Sequence, residues 1–314
     1  MLNELRKDYI LDRWVIVATE RRKRPWEFKQ EFKKQEEKQC FFCPGNEHLT
    51  PPETYRIGTK DKWLVRAFPN KFPAVDIKEN TKLKTKNQFF LYSGAYGYHE
   101  ILVDSYNHKK QLSDFPVDHI KKVLQAYVDR IRFMQDDKKI KYVSVFKNHS
   151  KEAAASIVHS HTQIISYTQE PHEVLREIKA ISKYKSCPYC KIINIERKSK
   201  RKAYENKTIV AFTPYASRFH YELWIFPKRH VKSIIEVNDE ELLELAKILK
   251  KALLKLKSIN APFNYIIHNT IDRKNYHFHI EILPRLNIFG GFEFATGCYI
   301  NAISPEEAAK FYKK

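Results

Sequence analysis

At its centre the chain reads Ile157-Val158-His159-Ser160-His161-Thr162-Gln163-Ile164-Ile165. Two histidines two residues apart, flanked by pairs of aliphatic residues, predict a β-strand with both imidazoles on the same face. A neutral imidazole is a competent nucleophile when a hydrogen bond fixes its second nitrogen, so this pair suits attack on a phosphorus centre. Two ordinary strand histidines would have the same spacing, so the motif alone leaves both interpretations open.

A fixed order of motifs occurs twice along the chain. Each half contains a Cys-x-x-Cys pair, a single histidine, a long helix, an asparagine after a strand, and a His-x-His pair. The first set is Cys40/Cys43, His108, the helix 117–136, Asn148 and His159/His161, and the second is Cys187/Cys190, His230, the helix 239–257, Asn269 and His277/His279. This repeat predicts an internal duplication, with modules at 1–175 and 176–314. Because each module combines several strands with one long helix, we expect an α+β fold with an antiparallel sheet in each.

Local patterns predict the individual elements. The first helix is indicated by apolar residues at helical spacing, namely Ile120, Val123, Leu124, Tyr127 and Ile131. Asn238-Asp239-Glu240-Glu241 is a cap for the second helix. Apolar patterns predict strands at 14–18, 63–68, 100–103, 142–146, 208–212, 221–226 and 263–268, and the run that contains the second His-x-His pair follows at 276–282. The lysine-rich residues 81–87 are expected to form an exposed loop.

The composition is that of a globular protein with a strongly basic surface. The 314 residues are 43% hydrophobic and 30% charged, and the net charge is +20. A basic field attracts nucleic acid, but it also attracts anionic nucleotides and sugar phosphates. The sequence has no helix-turn-helix, RNP or zinc-knuckle pattern, so we expect no nucleic-acid partner. It also has no run of 18 apolar residues and no apolar leader, which predicts a cytoplasmic protein without a membrane partner.

Cysteines and histidines form two sets suited to metal binding. In a cytosolic protein, Cys-x-x-Cys pairs indicate metal sites or redox centres rather than structural disulfides. Two thiolates and two imidazoles suit tetrahedral Zn²⁺ and leave no open position, so such a metal would be structural. The predicted sets are Cys40, Cys43, His108 and His159 and, by the duplication, Cys187, Cys190, His230 and His277. The first metal would fix His159 and thereby position His161.

Longer motifs run through nearly the whole chain. They are Asp12-Arg13-Trp14-Val15-Ile16-Val17, Arg24-Pro25-Trp26, Cys43-Pro44-Gly45-Asn46-Glu47, Pro69-Asn70-Lys71-Phe72-Pro73, His99-Glu100-Ile101, residues 148–163, Pro227-Lys228-Arg229-His230 and Gly291-Phe292-Glu293. In these motifs the chain resembles the galactose-1-phosphate uridylyltransferases, a branch of the histidine-triad superfamily. The resemblance implies two histidine-triad-like modules and an enzyme of galactose metabolism. It would move UMP between UDP-hexose and hexose 1-phosphate, converting UDP-glucose and galactose 1-phosphate to glucose 1-phosphate and UDP-galactose. A homodimer is also expected.

The resemblance implies roles for individual residues. His161 would carry the nucleotide covalently, and Gln163 would stabilise the phosphoryl group. Histidine-triad hydrolases have a third histidine at the position of Gln163. A glutamine amide is not a useful acid or base at neutral pH, which favours a transferase over a hydrolase. Substrate contacts are implied for Arg21, Arg24, Asn70, Asn148, Ser156 and Glu293.

Three departures keep alternatives open. The loop 148–156 has none of the glycines usual in the family, Ser160 stands where the best-known uridylyltransferases have proline, and residues 294–301 lack a glutamine near the sugar phosphate. The last two features, with the second Cys-x-x-Cys pair, resemble ADP-glucose phosphorylases, which implies a histidine–AMP intermediate as the alternative. A nucleotide-sensing or RNA-binding module is the alternative from another class. At the second metal site, iron is an alternative to zinc, and Glu177, His268, His277 and His279 are an alternative ligand set.

Overall fold

The computed structural model describes residues 3–23 and 39–314, so the predicted phosphate contact Arg24 lies outside the described residues. The first half contains β1 (Glu4–Lys7), β2 (Trp14–Val17), β3 (Tyr55–Gly58), β4 (Trp63–Pro69), β5 (Lys84–Thr85), β6 (Leu91–Tyr92), β7 (His99–Val103), α1 (Val117–Gln135), β8 (Tyr142–His149) and β9 (His161–Tyr167). The second half contains α2 (His172–Ile181), α3 (Pro188–Glu196), β10 (Lys202–Glu205), β11 (Ile209–Phe212), β12 (Leu223–Pro227), α4 (Asp239–Lys257), β13 (Phe263–His268), β14 (His279–Pro284), α5 (Gly291–Thr296), β15 (Tyr299–Asn301) and α6 (Pro305–Lys313).

Ten strands form one antiparallel sheet that runs through both halves. The strand order is β10-β11-β12-β14-β13-β8-β9-β7-β4-β3. The sheet is symmetric about the pairing of β8 with β13, where Phe146 lies opposite Ile266. Each side of this seam repeats the same strand sequence outward, which confirms the prediction of duplicated α+β modules. The division at residue 175 stays a prediction, because the sheet continues across it.

The two long helices pack against each other and against the sheet. The predicted apolar stripe of α1 is buried, and so are five leucines on one face of α4, Leu242, Leu245, Leu249, Leu253 and Leu256. α4 begins with a capping box, in which the Asn238 side chain accepts from the Glu241 N–H (2.9 Å) and the Glu241 carboxylate accepts from the Asn238 N–H (3.0 Å). The stripes of both helices close a core that the two halves share.

The N-terminal strands lie on the second half of the chain. β1 pairs with β2, and β2 pairs in parallel with β15, so Val17 lies opposite Asn301. The Arg6 guanidinium bonds the Glu306 carboxylate of α6 at 3.1 Å. The basic turn Thr19–Lys23 that follows β2 is therefore anchored beside the C-terminal strand.

The strand that carries the histidines differs from the prediction at its start. β9 begins at His161, so His159 precedes the strand rather than sharing one face of it with His161. The pairing register also corrects the match between the halves. Gln163 lies opposite Phe146, and Glu281 opposite Ile266, so the structural counterpart of Asn148 is His268 and not Asn269.

Two further features concern the rest of the chain. The loop predicted at 81–87 contains β5, which forms a short hairpin with β6 beyond the loop, and the residues of both strands are exposed. Within the described ranges no helix has the length and apolarity needed to cross a membrane.

Candidate functional site

The structure brings the first predicted metal set together. The candidate ligand atoms of Cys40, Cys43, His108 and His159 all lie within 4.8 Å of one another. His159 Nδ1 is 3.5 Å from Cys40 Sγ and 3.7 Å from Cys43 Sγ. His159 Nε2 lies 2.7 Å from the backbone oxygen of Ser105. Because a carbonyl can only accept, Nε2 carries the proton and the Nδ1 lone pair faces the two sulfurs, as a metal ligand requires.

The second half repeats this arrangement. Cys187, Cys190, His230 and His277 form a group with the same compactness. His277 Nδ1 is 3.8 Å from Cys187 Sγ and 3.6 Å from Cys190 Sγ, and His277 Nε2–H donates to the Pro227 carbonyl at 2.9 Å. His230 Nε2–H donates in the same way to the Lys274 carbonyl at 2.7 Å. Both donor sets therefore fit a tetrahedral metal that prefers sulfur and nitrogen, which makes the chain a candidate for two such ions.

The alternative ligand set is only partly assembled. Both ring nitrogens of His277 are directed to the cysteines and to Pro227, whereas Glu177, His268 and His279 lie together beside Glu281. His268 is placed between two carboxylates, 3.2 Å from Glu177 and 3.4 Å from Glu281, which raise its pKa to about 10 although burial opposes this. The ligand atoms of His268, His279 and Glu281 are close enough to hold a metal ion.

His161 has the orientation of a nucleophile. It is 5% exposed, and its Nδ1 lies 2.8 Å from the backbone oxygen of His159. Nδ1–H donates to that carbonyl, so the Nε2 lone pair is free to attack an electrophile. Burial, with a smaller effect of the Lys147 charge, lowers the pKa of His161 to about 4. The ring is therefore neutral at physiological pH, as nucleophilic attack requires.

A buried lysine supports the backbone of His161. Lys147 Nζ is 2.5 Å from the Asp104 carboxylate, 3.0 Å from Ser160 Oγ and 2.7 Å from the backbone oxygen of His161. Lys147 and Asp104 are 1% and 0% exposed. Sequence reasoning did not single out Lys147, although it follows the buried residues Val143 and Val145 at every second position of β8 and so shares their inner face.

The amide of Gln163 lies in a polar cluster with two residues of the first half. Its Oε1 is 3.0 Å from His99 Nε2, and the Asn70 amide nitrogen is 3.1 Å from the same ring atom. Gln163, on β9, and Asn70, directly after β4, are thus brought together as predicted substrate-site residues. His99 was noticed only as part of a motif, because its position between them depends on the pairing of β7 with β9.

The other predicted substrate contacts lie in three places. Asn148 Oδ1 accepts from Asn264 at 2.8 Å, and its Nδ2 donates to the Ala154 carbonyl at 3.2 Å, so it holds the loop that ends at the exposed Ser156. Glu293 lies on α5, where its carboxylate accepts from the Gly290 N–H at 2.8 Å. Arg21 lies in the turn after β2. The roles of these residues stay predictions.

Comparisons with known proteins agree with one another. Residues 1–171 match the family model described as galactose-1-phosphate uridyl transferase, N-terminal domain, and residues 99–311 match a domain of unknown function, DUF4921. An ADP-glucose phosphorylase of Arabidopsis thaliana is 33% identical over 99% of this chain and 92% of its own length. A galactose-1-phosphate uridylyltransferase of Thermotoga maritima is 31% identical over 98% of this chain and 96% of its own length. Among solved structures, an Arabidopsis thaliana ADP-glucose phosphorylase with bound ADP-glucose superposes with a TM-score of 0.86 at 31% identity, covering 100% of this chain and 99% of that one.

Proposed function

Because the chain belongs to the galactose-1-phosphate uridyl transferase family and is a transferase, we propose that His161 carries a nucleotidyl group between two sugar phosphates. The Nε2 lone pair attacks the α-phosphorus of a nucleotide sugar, and the bond from phosphorus to the bridging oxygen breaks. The sugar 1-phosphate leaves with that electron pair. An oxygen of the acceptor phosphate then attacks the same phosphorus, and the phosphorus–nitrogen bond breaks, which returns the electron pair to Nε2. The observation that carries this proposal is the orientation of His161, with Nδ1–H bonded to the His159 carbonyl and Nε2 free.

The supporting groups have separate tasks in this scheme. The amide of Gln163 donates to a phosphoryl oxygen, and Asn70, Asn148 and Ser156 hold the nucleotide and its phosphates. The guanidinium groups of Arg21 and Arg24 offset the charge of the transferring group through charge-assisted hydrogen bonds. Glu293 accepts from the hexose hydroxyls through Oε1, while its Oε2 bonds the Gly290 N–H.

The covalent intermediate is the direct test. Incubation with α-³²P-labelled nucleotide sugar is expected to label the protein with an acid-labile, base-stable group and to show ping-pong kinetics. His161→Asn should abolish the label. His279→Asn is the matched control, since His279 donates Nδ1–H to the His277 carbonyl at 2.9 Å in the same way, but Glu281 stands at the position of Gln163. Label that persists in His161→Asn would contradict the assignment of His161 as the nucleophile.

The substrate that we propose first is a UDP-hexose, with galactose 1-phosphate as the acceptor and UDP-galactose as the product. The uridylyltransferase family model and the Thermotoga maritima relative support it. The second candidate is ADP-glucose phosphorolysis through a histidine–AMP intermediate, favoured by the Arabidopsis thaliana relative and structure and by Ser160. Coupled assays of UDP-glucose with galactose 1-phosphate and of ADP-glucose with phosphate discriminate between them. An RNA-binding or nucleotide-sensing module would turn over neither pair.

We propose zinc for both Cys/Cys/His/His groups, with iron as the alternative in the second. When bound, the metal supplies a structural link between the cysteine loop and the histidine segment rather than reaction chemistry. Cys40→Ser should lower the metal content, the thermal stability and the activity together, since binding contributes on the order of 10 kcal/mol per ion. Cys298→Ser is the control, because Cys298 belongs to neither group. Metal analysis that found neither zinc nor iron in a folded, active preparation would contradict this proposal.

We also propose a cytoplasmic homodimer. The reducing cytoplasm suits a protein whose cysteines are metal ligands. Phe294 on α5 and Ile288 just before it are 78% and 61% exposed, and we propose that a second copy covers this apolar surface. Sedimentation equilibrium should give twice the chain mass, and Phe294→Ser should weaken the association. A monomer at micromolar concentration would refute the dimer but would not bear on the reaction proposed for His161.

A further inference from the structure

His99 is a buried histidine beside the proposed site that has no role in the scheme above. It is the first residue of β7, is 8% exposed, and lies next to both Asn70 and Gln163. An amide has an oxygen at one end and two N–H groups at the other, and only the N–H end can donate to a phosphoryl oxygen. The atoms around Gln163 therefore decide whether its amide helps or opposes the transfer.

The backbone fixes the tautomer of His99. The N–H of Ala74 donates to His99 Nδ1 at 3.0 Å, so Nδ1 has the lone pair. Burial lowers the pKa of His99 and keeps the ring neutral, so the proton is on Nε2. Since Nε2–H is a donor, the atom of Gln163 that lies 3.0 Å from it must be the amide oxygen. The orientation of the amide thus follows from a backbone N–H rather than from the assignment of its atoms.

With its oxygen bonded to His99, the Gln163 amide has only its N–H groups left for a ligand. These are the donors that a phosphoryl group with developing negative charge requires. A reversed amide would present oxygen lone pairs to the phosphate and would repel it. We propose that His99 is a positioning residue that fixes the Gln163 amide for the transfer step, an inference that rests on the proposed function.

His99 also contacts the loop that carries Asn70, through its ring Nδ1 and its backbone oxygen rather than through Nε2. Ala74 N–H bonds Nδ1, and the Asn70 N–H bonds the backbone oxygen of His99 at 2.7 Å. The Asn70 side-chain oxygen accepts from the Phe72 N–H at 2.9 Å, so the Asn70 amide nitrogen near Nε2 is a second donor and makes no hydrogen bond there. Of the two ring nitrogens, Nδ1 therefore helps to hold the loop, and Nε2 orients Gln163.

Two substitutions separate these roles. In His99→Gln the side-chain nitrogen reaches the position of Nε2 and can still donate to Gln163, but the acceptor for Ala74 is lost. In His99→Asn the oxygen replaces Nδ1 and still accepts from Ala74, but the donor to Gln163 is lost. The readout is the rate of the first half-reaction, measured as the burst of protein-bound label from α-³²P UDP-glucose and from α-³²P ADP-glucose.

If His99 positions Gln163, His99→Asn should slow the burst roughly ten- to a hundredfold with little change in nucleotide-sugar affinity, and His99→Gln should retain most of the rate. If the ring only holds the loop, the order is reversed. Adding His99→Asn to Gln163→Ala should cause no further loss, because the two residues act through one hydrogen bond. The thermal midpoints of all variants show whether any loss arises from unfolding.

The failures are distinguishable. A wild-type protein labelled by neither nucleotide sugar overturns the proposed function, and the positioning role with it. A labelled wild type in which His99→Asn keeps the full rate, or in which its loss adds to that of Gln163→Ala, overturns only the positioning role.

Discussion

At the residue scale, the loop between Asn148 and Ser156 stores backbone strain. Ser150 has φ 70° with ψ 163°, and Ala154 has φ 67° in the left-handed region. Side chains with a Cβ pay about 1–2 kcal/mol to adopt the left-handed conformation, which glycine adopts freely. The sequence showed that this loop has no glycine. It could not show which two residues adopt a positive φ, because this depends on how the loop closes against Asn148 and Asn264.

Replacing Ala154 with glycine is therefore expected to stabilise the protein. Relief of the left-handed strain outweighs the extra entropy of an unfolded glycine, for a net gain of about 0.5–1 kcal/mol in the free energy of unfolding. Ala155→Gly is the matched control, because Ala155 has no positive φ, and it should destabilise by about the same amount. Urea unfolding curves measure both, and equal effects of the same sign would contradict the role of strain.

His149, the last residue of β8 before this loop, makes stability depend on pH. Its ring stacks on Phe263 at 4.6 Å, and burial lowers its pKa to about 4. Lys147 and Lys257 lower the pKa further, whereas Asp114 and Glu152 oppose the shift. The folded pKa lies below the ordinary value, so the unfolded chain binds the proton first. The contribution of His149 is complete above about pH 6.5 and is lost as the pH falls toward 4.

The variant His149→Phe keeps the stacking and removes the titration. The wild type should lose about 2 kcal/mol more stability than His149→Phe between pH 7 and pH 4.5. His172→Gln, at an exposed histidine on α2, is the control and should follow the wild type. Parallel pH profiles of wild type and His149→Phe, measured by urea unfolding, would rule out this contribution.

At the element scale, one lysine joins three strands. Lys147 on β8 bonds Asp104 at the end of β7 and the backbone of His161 at the start of β9. Removing one partner of a buried ion pair leaves the other charge without compensation, so Lys147→Met should cost about 3–5 kcal/mol. Lys147→Met combined with Asp104→Leu should cost less than either single change. The exposed pair Lys207–Glu240 is the control, since solvent screens this pair and Lys207→Met should have little effect on the unfolding curve. Additive losses in urea unfolding would argue against the coupling.

The elements differ in how far the sequence predicted them. α1 and α4 were predicted within a residue, because helical periodicity and a capping box are local signals. The start of β9 was wrong, because His159 turns its ring toward the cysteines, with Nδ1 3.5 Å from Cys40 Sγ, and the strand begins only at His161. Matching Asn148 to Asn269 by identity failed for a related reason: equivalence in a sheet is decided by register.

At the scale of the whole molecule, the sequence predicted the two metal sets but not His99 and Lys147, which support the site. Eight cysteines and histidines were found because their spacing recurs in both halves, so each set supported the other. His99 and Lys147 are each single residues in one half, and their partners are distant in sequence. Pairwise contacts of this kind follow from the strand order of the common sheet, which no local pattern contains.

The common sheet also predicts that the halves unfold together. Tyr265, on β13, hydrogen-bonds the hydroxyl of Tyr127 on α1, which in turn lies 2.7 Å from Thr162 Oγ1 on β9. Tyr265→Phe removes a buried hydrogen bond at the seam and should cost about 1–3 kcal/mol. Because the sheet is continuous, hydrogen exchange should report the same loss for amides of β4 and of β11, which lie on opposite sides of the seam. Tyr204→Phe is the control, since Tyr204 bonds the backbone of Tyr312 within the second half. If β4 kept its protection in Tyr265→Phe while β11 lost it, the two halves would be separate cooperative units despite their shared sheet.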